Sequence, residues 1–332
     1  MYRNRNLRMG LISIDKYYFL AEKQYLSVEI YKESKRGGIT MESILEQLIN
    51  GLRSGSIYAL IALGYTMVYG IAKMINFAHG DIIMVGAYAL YVAITILHMP
   101  VILAVIFAIV ICAVLGVLIE RIAYKPLRKA PPLAVLITAI GMSFFLQSSA
   151  LLIFKATPIP FSSIITAKSV QLGGITISGI TIVTLVVTTI CMTVLTLFVN
   201  KTKTGSAMRA VSEDKGAAEL MGINVNKTIS ITFAIGSALA AVAGILFICQ
   251  YPSLKPMLGA LPGIKAFVAA VLGGIGSIPG AMLGGILLGI IESVSKAYIS
   301  TELSDAIVFG ILVLVLLVKP TGLLGKNRNE KV

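Results

Sequence analysis

The stretch GGIGSIPGAMLGGILLG, residues Gly273–Gly289, places seven glycines and one proline in seventeen residues that carry no charge. Glycine and proline weaken a helix more than any other residues, although the surrounding sequence is strongly apolar. Two interpretations fit. Either the segment is broken, with short helices over Lys265–Leu272 and Ala281–Ile291 joined by a turn, or it is one packing helix kinked at Pro279.

The spacing of these glycines has a packing use in either case. Gly276, Gly280 and Gly284 are four residues apart, as are Gly285 and Gly289. Small residues at that spacing let the backbones of two helices approach closely. The pattern predicts tight contact between this segment and neighbouring helices.

The composition is that of a membrane protein. Of 332 residues, 57% are hydrophobic and 13% charged, and the mean hydropathy is +0.91. Val101–Ile119 is apolar throughout, and nineteen residues at about 1.5 Å each match a bilayer core of about 30 Å. Further candidate spans are Ser54–Ala72, Ile82–Leu97, Leu133–Phe154, Gly179–Val199, Ile229–Cys249 and Ala306–Val318. We predict an all-α polytopic membrane protein with about eight transmembrane segments, one or two of them broken or re-entrant.

Basic residues predict the orientation. Three regions are rich in lysine and arginine and should be cytoplasmic: Glu120–Pro132, Asn200–Thr228 and the tail from Lys319. The regions poor in them, which should lie outside, are Lys155–Ser178 and Gln250–Gly263. Residues 264–305 must then cross an even number of times, which favours the broken segment.

The first forty residues differ from the rest. They contain eight Lys or Arg, four Asp or Glu, and no sustained apolar run, so they lack the core of a signal peptide. They are either a disordered extension or not translated, with Met41 as the start, and the composition favours Met41. The predicted organisation is an extension over 1–40, a transmembrane domain over 41–320 with a cytoplasmic loop at 200–228, and a cytoplasmic tail over 321–332.

A second interruption lies near the front, where Asn76, His79 and Asp81 form a polar break between two apolar runs. Polar groups at membrane depth usually face a cavity or a partner; the alternative is a solvated loop, or hydrogen bonds between helices. Two interrupted segments are typical of transporters, in which the breaks mark the path. The predicted pathway residues are Asn76, His79, Asp81, Gln147, Gly273, Gly274, Gly276, Pro279 and Gly280.

The loop at 200–228 contains helix signals. Ser212 suits an N-cap, Glu213 and Asp214 suit the positive end of the helix dipole, and Gly222 suits a left-handed C-terminus, so we predict a helix over Glu213–Met221. It either docks on a soluble partner or lies at the membrane surface. The candidate contact residues are Ser212, Glu213, Asp214, Ala217, Ala218, Glu219, Met221 and Gly222.

Several chemistries are missing from the sequence. The glycine-rich stretch satisfies neither nucleotide-binding fingerprint, because Gly325 and Lys326 lead to Asn327 and Pro279 stands where a third glycine is needed. Two histidines and three isolated cysteines predict no metal site. The charge of +13 lies in short loops and does not indicate nucleic acid. Energy for transport must come from an ion gradient or another subunit.

Five long motifs carry a family resemblance: NGLRSGSIYALIALGYTMVYGIAKMINFAHGD, ERIAYKPLR, ITAIGMSFFLQ, MRAVSEDKGAAELMGIN and KAFVAAVLGGIGSIPGAMLGGILLGIIES. Together they resemble the LivH-type permeases, the integral-membrane subunits of bacterial ABC importers for branched-chain amino acids. The resemblance implies a multi-pass protein of the bacterial inner membrane that forms half of the translocation pathway and is not itself an enzyme.

The resemblance also implies partners. A second related permease, two cytoplasmic ATPase subunits and a periplasmic substrate-binding protein complete such systems, and ATP is used by the ATPases rather than bound by this chain. The family's EAA-like loop maps onto Glu213, Ala217, Ala218 and Gly222, which implies docking on the ATPase. Urea, amides or other amino acids are alternative substrates. An ion-coupled secondary transporter using Asp81 or Glu292, and a scaffold without transport, are the alternatives of other classes.

Overall fold

The computed structural model describes residues 41–128, 130–172 and 175–325. The predictions for residues 1–40, Lys129 and residues 326–332 lie outside this part. The chain divides into two compact units, Met1–Leu45 and Glu46–Val332. The described part of the first unit is the beginning of helix α1.

Helices make up most of the described chain. The α-helices are α1 (Met41–Ala72), α2 (His79–Tyr91), α3 (Val101–Ile119), α4 (Pro132–Phe154), α5 (Gly179–Lys201), α6 (Lys203–Glu213), α7 (Lys215–Leu220), α8 (Val225–Gln250), α9 (Ala260–Gly273), α10 (Ile278–Tyr298) and α11 (Ser304–Val318). Short π-helical segments extend α2 over Val92–Ile96 and α3 over Glu120–Tyr124. Two small antiparallel pairs complete the fold, β1 (Ile159–Pro160) with β4 (Ser253–Leu254) and β2 (Val170–Leu172) with β3 (Ile175–Ile177).

Seven of these helices are long and apolar enough to cross a membrane: α1, α2 and α3 with their extensions, α4, α5, α8 and α10. Helices α9 and α11 are apolar but shorter, with 14 and 15 residues. The predicted all-α membrane fold with about eight segments is confirmed. The most apolar window of α1 is 94% buried, whereas that of α4 is 17% buried. Helix α1 is therefore central, and α4 turns most of its surface outward.

The glycine-rich segment is broken, not kinked. Helix α9 ends at Gly273, and the turn that follows uses left-handed φ values of 107° at Gly274 and 93° at Gly276, which glycine adopts without steric penalty. Ser277 caps α10 by accepting a hydrogen bond from the Gly280 amide at 3.2 Å. Pro279 lies in the first turn of α10, where its missing N–H has no helical partner to lose.

The chain after α11 completes this turn. The amides of Leu323 and Leu324 donate to the carbonyls of Leu272 and Gly273, each at 2.9 Å. These carbonyls lie at the end of α9, where the helix itself offers no donor. The last carbonyls of α9 are thus satisfied by protein backbone, as buried backbone groups require.

The two short helices are longer than predicted. Helix α9 begins at Ala260, because Pro262 is tolerated in the first turn of a helix. Helix α10 continues to Tyr298 and is long enough to span, so only α9 is short. The sequence predicted an end before Glu292, but this carboxylate is paired inside the fold.

The pairing is an ionic network that joins three helices, in which Lys265 and Glu292 are buried and the other two side chains are partly exposed. The Lys265 ammonium on α9 lies 2.8 Å from Glu292 Oε1 on α10 and 2.6 Å from Asp305 Oδ1 on α11. Lys296 reaches the same Glu292 oxygen at 2.5 Å. Because a buried charge left without its partner is strongly destabilising, the network fixes α9, α10 and α11 relative to one another.

The glycines of α10 form two contact rows. Gly280 and Gly284 face the backbone of α9, and Gly285 and Gly289 face α1. A Cβ at Gly285 would lie 2.4 Å from the Ala59 Cα. The predicted close packing is confirmed for these four residues.

The predicted row was wrong in one member. Gly276 belongs to the turn, and a Cβ added there would meet nothing within 4 Å. Its left-handed φ, rather than a helix contact, explains the glycine.

Gly289→Ala should destabilise the protein. The new Cβ would lie 2.2 Å from the Gly55 Cα, and such overpacking typically costs about 1–3 kcal/mol. We expect a lower melting temperature and less folded protein in detergent. Gly310→Ala is the matched control, because a Cβ there meets nothing within 4 Å; it should leave the melting temperature unchanged or slightly raised. Equal melting temperatures for both variants would contradict the packing argument.

Candidate functional site

A cavity of about 210 Å³ lies where α1, α2, α4 and α9 meet. It is open on one side, where its apolar lining residues are 41–61% exposed: Ile140, Phe144, Met257 and Ile264. Its polar lining residues are Tyr65, Asp81, Ser143 and Gln147. Its larger apolar lining residues are Phe77, Ile140, Phe144, Met257 and Ile264. This volume is smaller than the roughly 300–1,000 Å³ of sites for drug-sized ligands, so the cavity suits a small solute with an apolar portion.

Asp81 and Gln147 form the polar side of the cavity. The Gln147 amide donates to Asp81 Oδ1 at 2.9 Å and to the Ser143 hydroxyl at 3.2 Å. The helix spacing explains this arrangement, since Ser143 and Gln147 are four residues apart and share one face of α4.

Three aromatic rings separate this cavity from a smaller one. Tyr65 and Phe77 line the large cavity, and both pack on Phe267, with ring centroids 5.8 and 5.7 Å apart. Beyond them, Tyr65 and Phe267 line a second space of about 10 Å³, near the turn between α9 and α10. That space is of the order of a single water, so the rings close the cavity on that side.

The polar break near the front is buried, so the solvated-loop interpretation is wrong. Asn76, His79 and Asp81 are each at most 2% exposed. Asn76 Oδ1 accepts a hydrogen bond from the Tyr124 hydroxyl at 2.9 Å. The His79 ring packs edge-on against Tyr65 with centroids 4.6 Å apart.

Of the predicted pathway residues, only Asp81 and Gln147 line the large cavity. Asn76 and His79 pack beside it. The glycine-rich group Gly273, Gly274, Gly276, Pro279 and Gly280 forms the α9–α10 turn and contact. A path role for these residues stays a prediction. The sequence analysis missed Tyr65, Ser143 and Phe144, which stand inside apolar runs where spacing alone does not distinguish them.

The loop at 200–228 folds into two helices instead of one. Asp214, with φ −150° and ψ 116°, separates α6 from α7 and accepts a hydrogen bond from the Ala217 amide at 3.0 Å. Asp214 is therefore the N-cap. The prediction that Ser212 is the cap is wrong: its hydroxyl donates to the Arg209 carbonyl at 2.7 Å within α6.

Helix α7 ends at Leu220, and Gly222 follows with the predicted left-handed φ, 78°. The Ile223 amide donates to Ala218, and the Gly222 amide to Glu219, each at 3.0 Å. This is the Schellman arrangement, which glycine favours at that position.

The surface of α7 is mixed. Ala218 is buried against the core, while Glu213, Asp214, Ala217, Glu219, Met221 and Gly222 are exposed. Leu220 and Met221 are 91% and 81% exposed. Two large apolar side chains together at a helix end predict contact with another protein or with lipid.

Lys215, the first residue of α7, connects this element to α1. Its ammonium donates to the carbonyl of Ala72, the last residue of α1, at 2.9 Å. Burial, together with the positive charges of Arg128 and Lys73, lowers the pKa of Lys215. The contact persists in this basic surrounding because a helix C-terminus favours a cation.

The fold and its polar-lined cavity define a multi-pass membrane transport protein. The model of the family described as branched-chain amino acid transport system / permease component matches residues 47–316, and the chain belongs to that family. It is thus a permease component in the inner membrane, not an enzyme, and works with partner subunits of an ABC importer. The resemblance to LivH-type permeases is confirmed.

The curated relatives match over most of their length. The chain is 49% identical to the high-affinity branched-chain amino acid transport system permease protein BraD of Pseudomonas aeruginosa, over 87% of this chain and 98% of the relative. It is 46% identical to the corresponding protein LivH of Salmonella typhimurium, over 87% and 97%. Among solved structures, it aligns with PsaBC from Streptococcus pneumoniae in complex with Fab, with 15% identity, 89% and 97% coverage and a TM-score of 0.40.

Asp214→Ala should loosen α7 without unfolding the protein. Loss of an N-cap costs about 1 kcal/mol, which corresponds to roughly fivefold faster amide hydrogen exchange over Lys215–Leu220. Hydrogen exchange with mass spectrometry measures this. Ser212→Ala is the matched control and should leave exchange in α7 unchanged, because Ser212 does not cap it. A larger effect from Ser212→Ala would reverse the assignment of the cap.

Proposed function

We propose that this permease carries branched-chain amino acids across the membrane in an ATP-driven importer. The supporting observation is the cavity, in which one carboxylate and two neutral polar side chains face an apolar wall. The names of BraD and LivH refer to branched-chain amino acids. These combine an ammonium and a carboxylate group with an aliphatic side chain.

The complete importer in this proposal contains a second related permease, forming a heterodimer, with two cytoplasmic ATPase subunits and a periplasmic binding protein. ATP binds to the ATPases and not to this chain. The largely outward-facing helix α4 gives the permease apolar surface for its partner or for lipid.

Helix α7 is the proposed contact with the ATPase. Its exposed Leu220 and Met221 would enter an apolar groove of that subunit. Movement of α7 would act on Ala72 through Lys215 and then on the non-helical segment Lys73–Ala78.

That segment leads directly to the cavity. It carries Phe77, which packs on Phe267, and it ends where α2 brings Asp81 to the cavity. ATP-driven motion of α7 would thereby shift the aromatic cluster of Tyr65, Phe77 and Phe267. We assign this cluster the role of an inner gate.

The contacts of Glu292 argue against the ion-coupled alternative. Glu292, one of its candidate carboxylates, is already engaged by Lys265 and Lys296. A carboxylate between two ammonium groups serves better as a tie between helices than as a proton carrier.

Reconstitution tests the function. Proteoliposomes with the assembled importer, its binding protein outside and ATP available to the ATPases should accumulate radiolabelled L-leucine against its gradient. Ionophores that collapse proton and sodium gradients should not abolish this accumulation. Accumulation that needs an ion gradient and no ATP would contradict the proposal, as would transport of urea or an amide with no transport of leucine.

Leu220→Asp should weaken ATPase docking. A carboxylate in an apolar groove loses its hydration without gaining a partner, so we expect at least tenfold less ATPase subunit to copurify and a matching loss of uptake. Leu220→Met, which keeps an apolar side chain of similar size, is the control and should retain the complex. Unchanged copurification with the aspartate variant would show that the ATPase binds elsewhere.

A further inference from the structure

The large cavity combines two electrostatic features on its wall. Helix α2 begins at His79 and helix α9 at Ala260, so both N-termini lie at the cavity, where Gly80 and Ala260 are lining residues. The two helix ends abut: a Cβ at Gly263 would lie 2.7 Å from the Gly80 Cα. The N-terminus of α9 carries about half a positive charge, whereas Asp81 in the first turn of α2 offsets the positive end of that helix. Half-helix N-termini at membrane depth favour anionic groups.

Asp81 supplies the opposite charge. It is 1% exposed, and the residues lining the cavity include no lysine, arginine or histidine. It forms none of the ion pairs seen in the described residues. Its side-chain hydrogen-bond partner, Gln147, is neutral. A carboxylate at membrane depth without a cationic partner is costly and usually functional.

The remainder of the wall is apolar. Ile140 and Phe144 of α4 and Ile264 of α9 line the cavity with Asp81 and Gln147. A solute that matches this surface has a cation and an anion close together and an uncharged aliphatic portion. An α-amino acid with an apolar side chain meets each requirement.

We propose that Asp81 binds the α-ammonium group of the transported amino acid, with the substrate carboxylate toward the N-terminus of α9 and the aliphatic side chain against Ile140, Phe144 and Ile264. This inference rests on the proposed function and adds to it: the permease itself selects for the zwitterion.

The hydrogen bond of Asp81 suits a transient site. Gln147 already stabilises the carboxylate, so the ammonium group gains only part of the strength of an isolated charge pair. A conduit needs binding that is favourable enough to admit the solute and weak enough to release it.

Substrate protection of a cysteine tests the site. In a variant with Cys112, Cys191 and Cys249 replaced by alanine, Ile140→Cys puts a thiol in the cavity wall of the assembled importer. L-leucine should slow its alkylation by a water-soluble reagent at least fivefold. The analogue 4-methylpentanoate, which lacks the ammonium group, should not. Ile137→Cys is the matched control on the same helix; Ile137 is 60% exposed and does not line the cavity, so leucine should not protect it.

Asp81→Asn should abolish protection by leucine while keeping the side-chain shape. Equal protection of Ile140→Cys by leucine and 4-methylpentanoate would overturn the proposal. This comparison keeps Asp81 in place, so it remains valid even if the asparagine variant does not assemble. Full protection in the asparagine variant would overturn it as well.

Leucine uptake by the unmodified importer distinguishes failure of the proposed binding site from failure of the proposed function. Uptake of leucine without protection of Ile140→Cys would refute the site and leave the proposed function intact. Failure of the unmodified importer to take up leucine, while it carries another solute, would refute both.

Discussion

The fold depends on satisfying the backbone carbonyls at the break between α9 and α10. A buried backbone carbonyl without a hydrogen-bond partner is costly. Here α9 ends at Gly273, and the amides of Leu323 and Leu324 reach its last carbonyls. This contact allows a helix of 14 residues to stop short, and the cavity lies beside its other end.

Close approach of α10 to two neighbours holds this arrangement. One row of glycines faces α9 and the other faces α1, while the Lys265 network fixes the opposite end of the same helices. Helix α10 is held by direct backbone contact along its two glycine rows and by the buried Lys265–Glu292 ion pair nearer its C-terminus. Helices α1 and α9 also supply Tyr65 and Phe267, the rings that close the cavity.

Much of this architecture could be predicted from sequence, because long apolar runs determine their own element. Val101–Ile119 and the start of α5 at Gly179 were predicted to the residue. Boundaries failed where tertiary contacts override composition. From sequence, Glu292 marks the end of a helix, but in the fold it pairs with Lys265, 27 residues away, and the helix continues. Ser212 suits an N-cap from sequence, but Asp214 is the residue with the extended backbone of a cap.

The candidate site was predictable only in part, because tertiary contacts also decide which residues line it. Asp81 and Gln147 stand out as polar residues in apolar sequence, but their contact joins positions 66 residues apart. Tyr65 and Phe144 carry no such signal, since an aromatic residue in an apolar run is as common in a core as in a cavity. Which polar residues share a space is set by helix packing that no local pattern encodes.

The contact of Leu323 and Leu324 with the end of α9 also has a consequence for biosynthesis. The break is complete only after α10, α11 and the residues beyond them have left the ribosome, some fifty positions after Gly273. Until then the carbonyls of Leu272 and Gly273 lack the hydrogen-bond donors that they have in the complete fold. A chain truncated before Leu323 would keep its spans but lose these two hydrogen bonds, which would make the end of α9 a target for quality-control proteases.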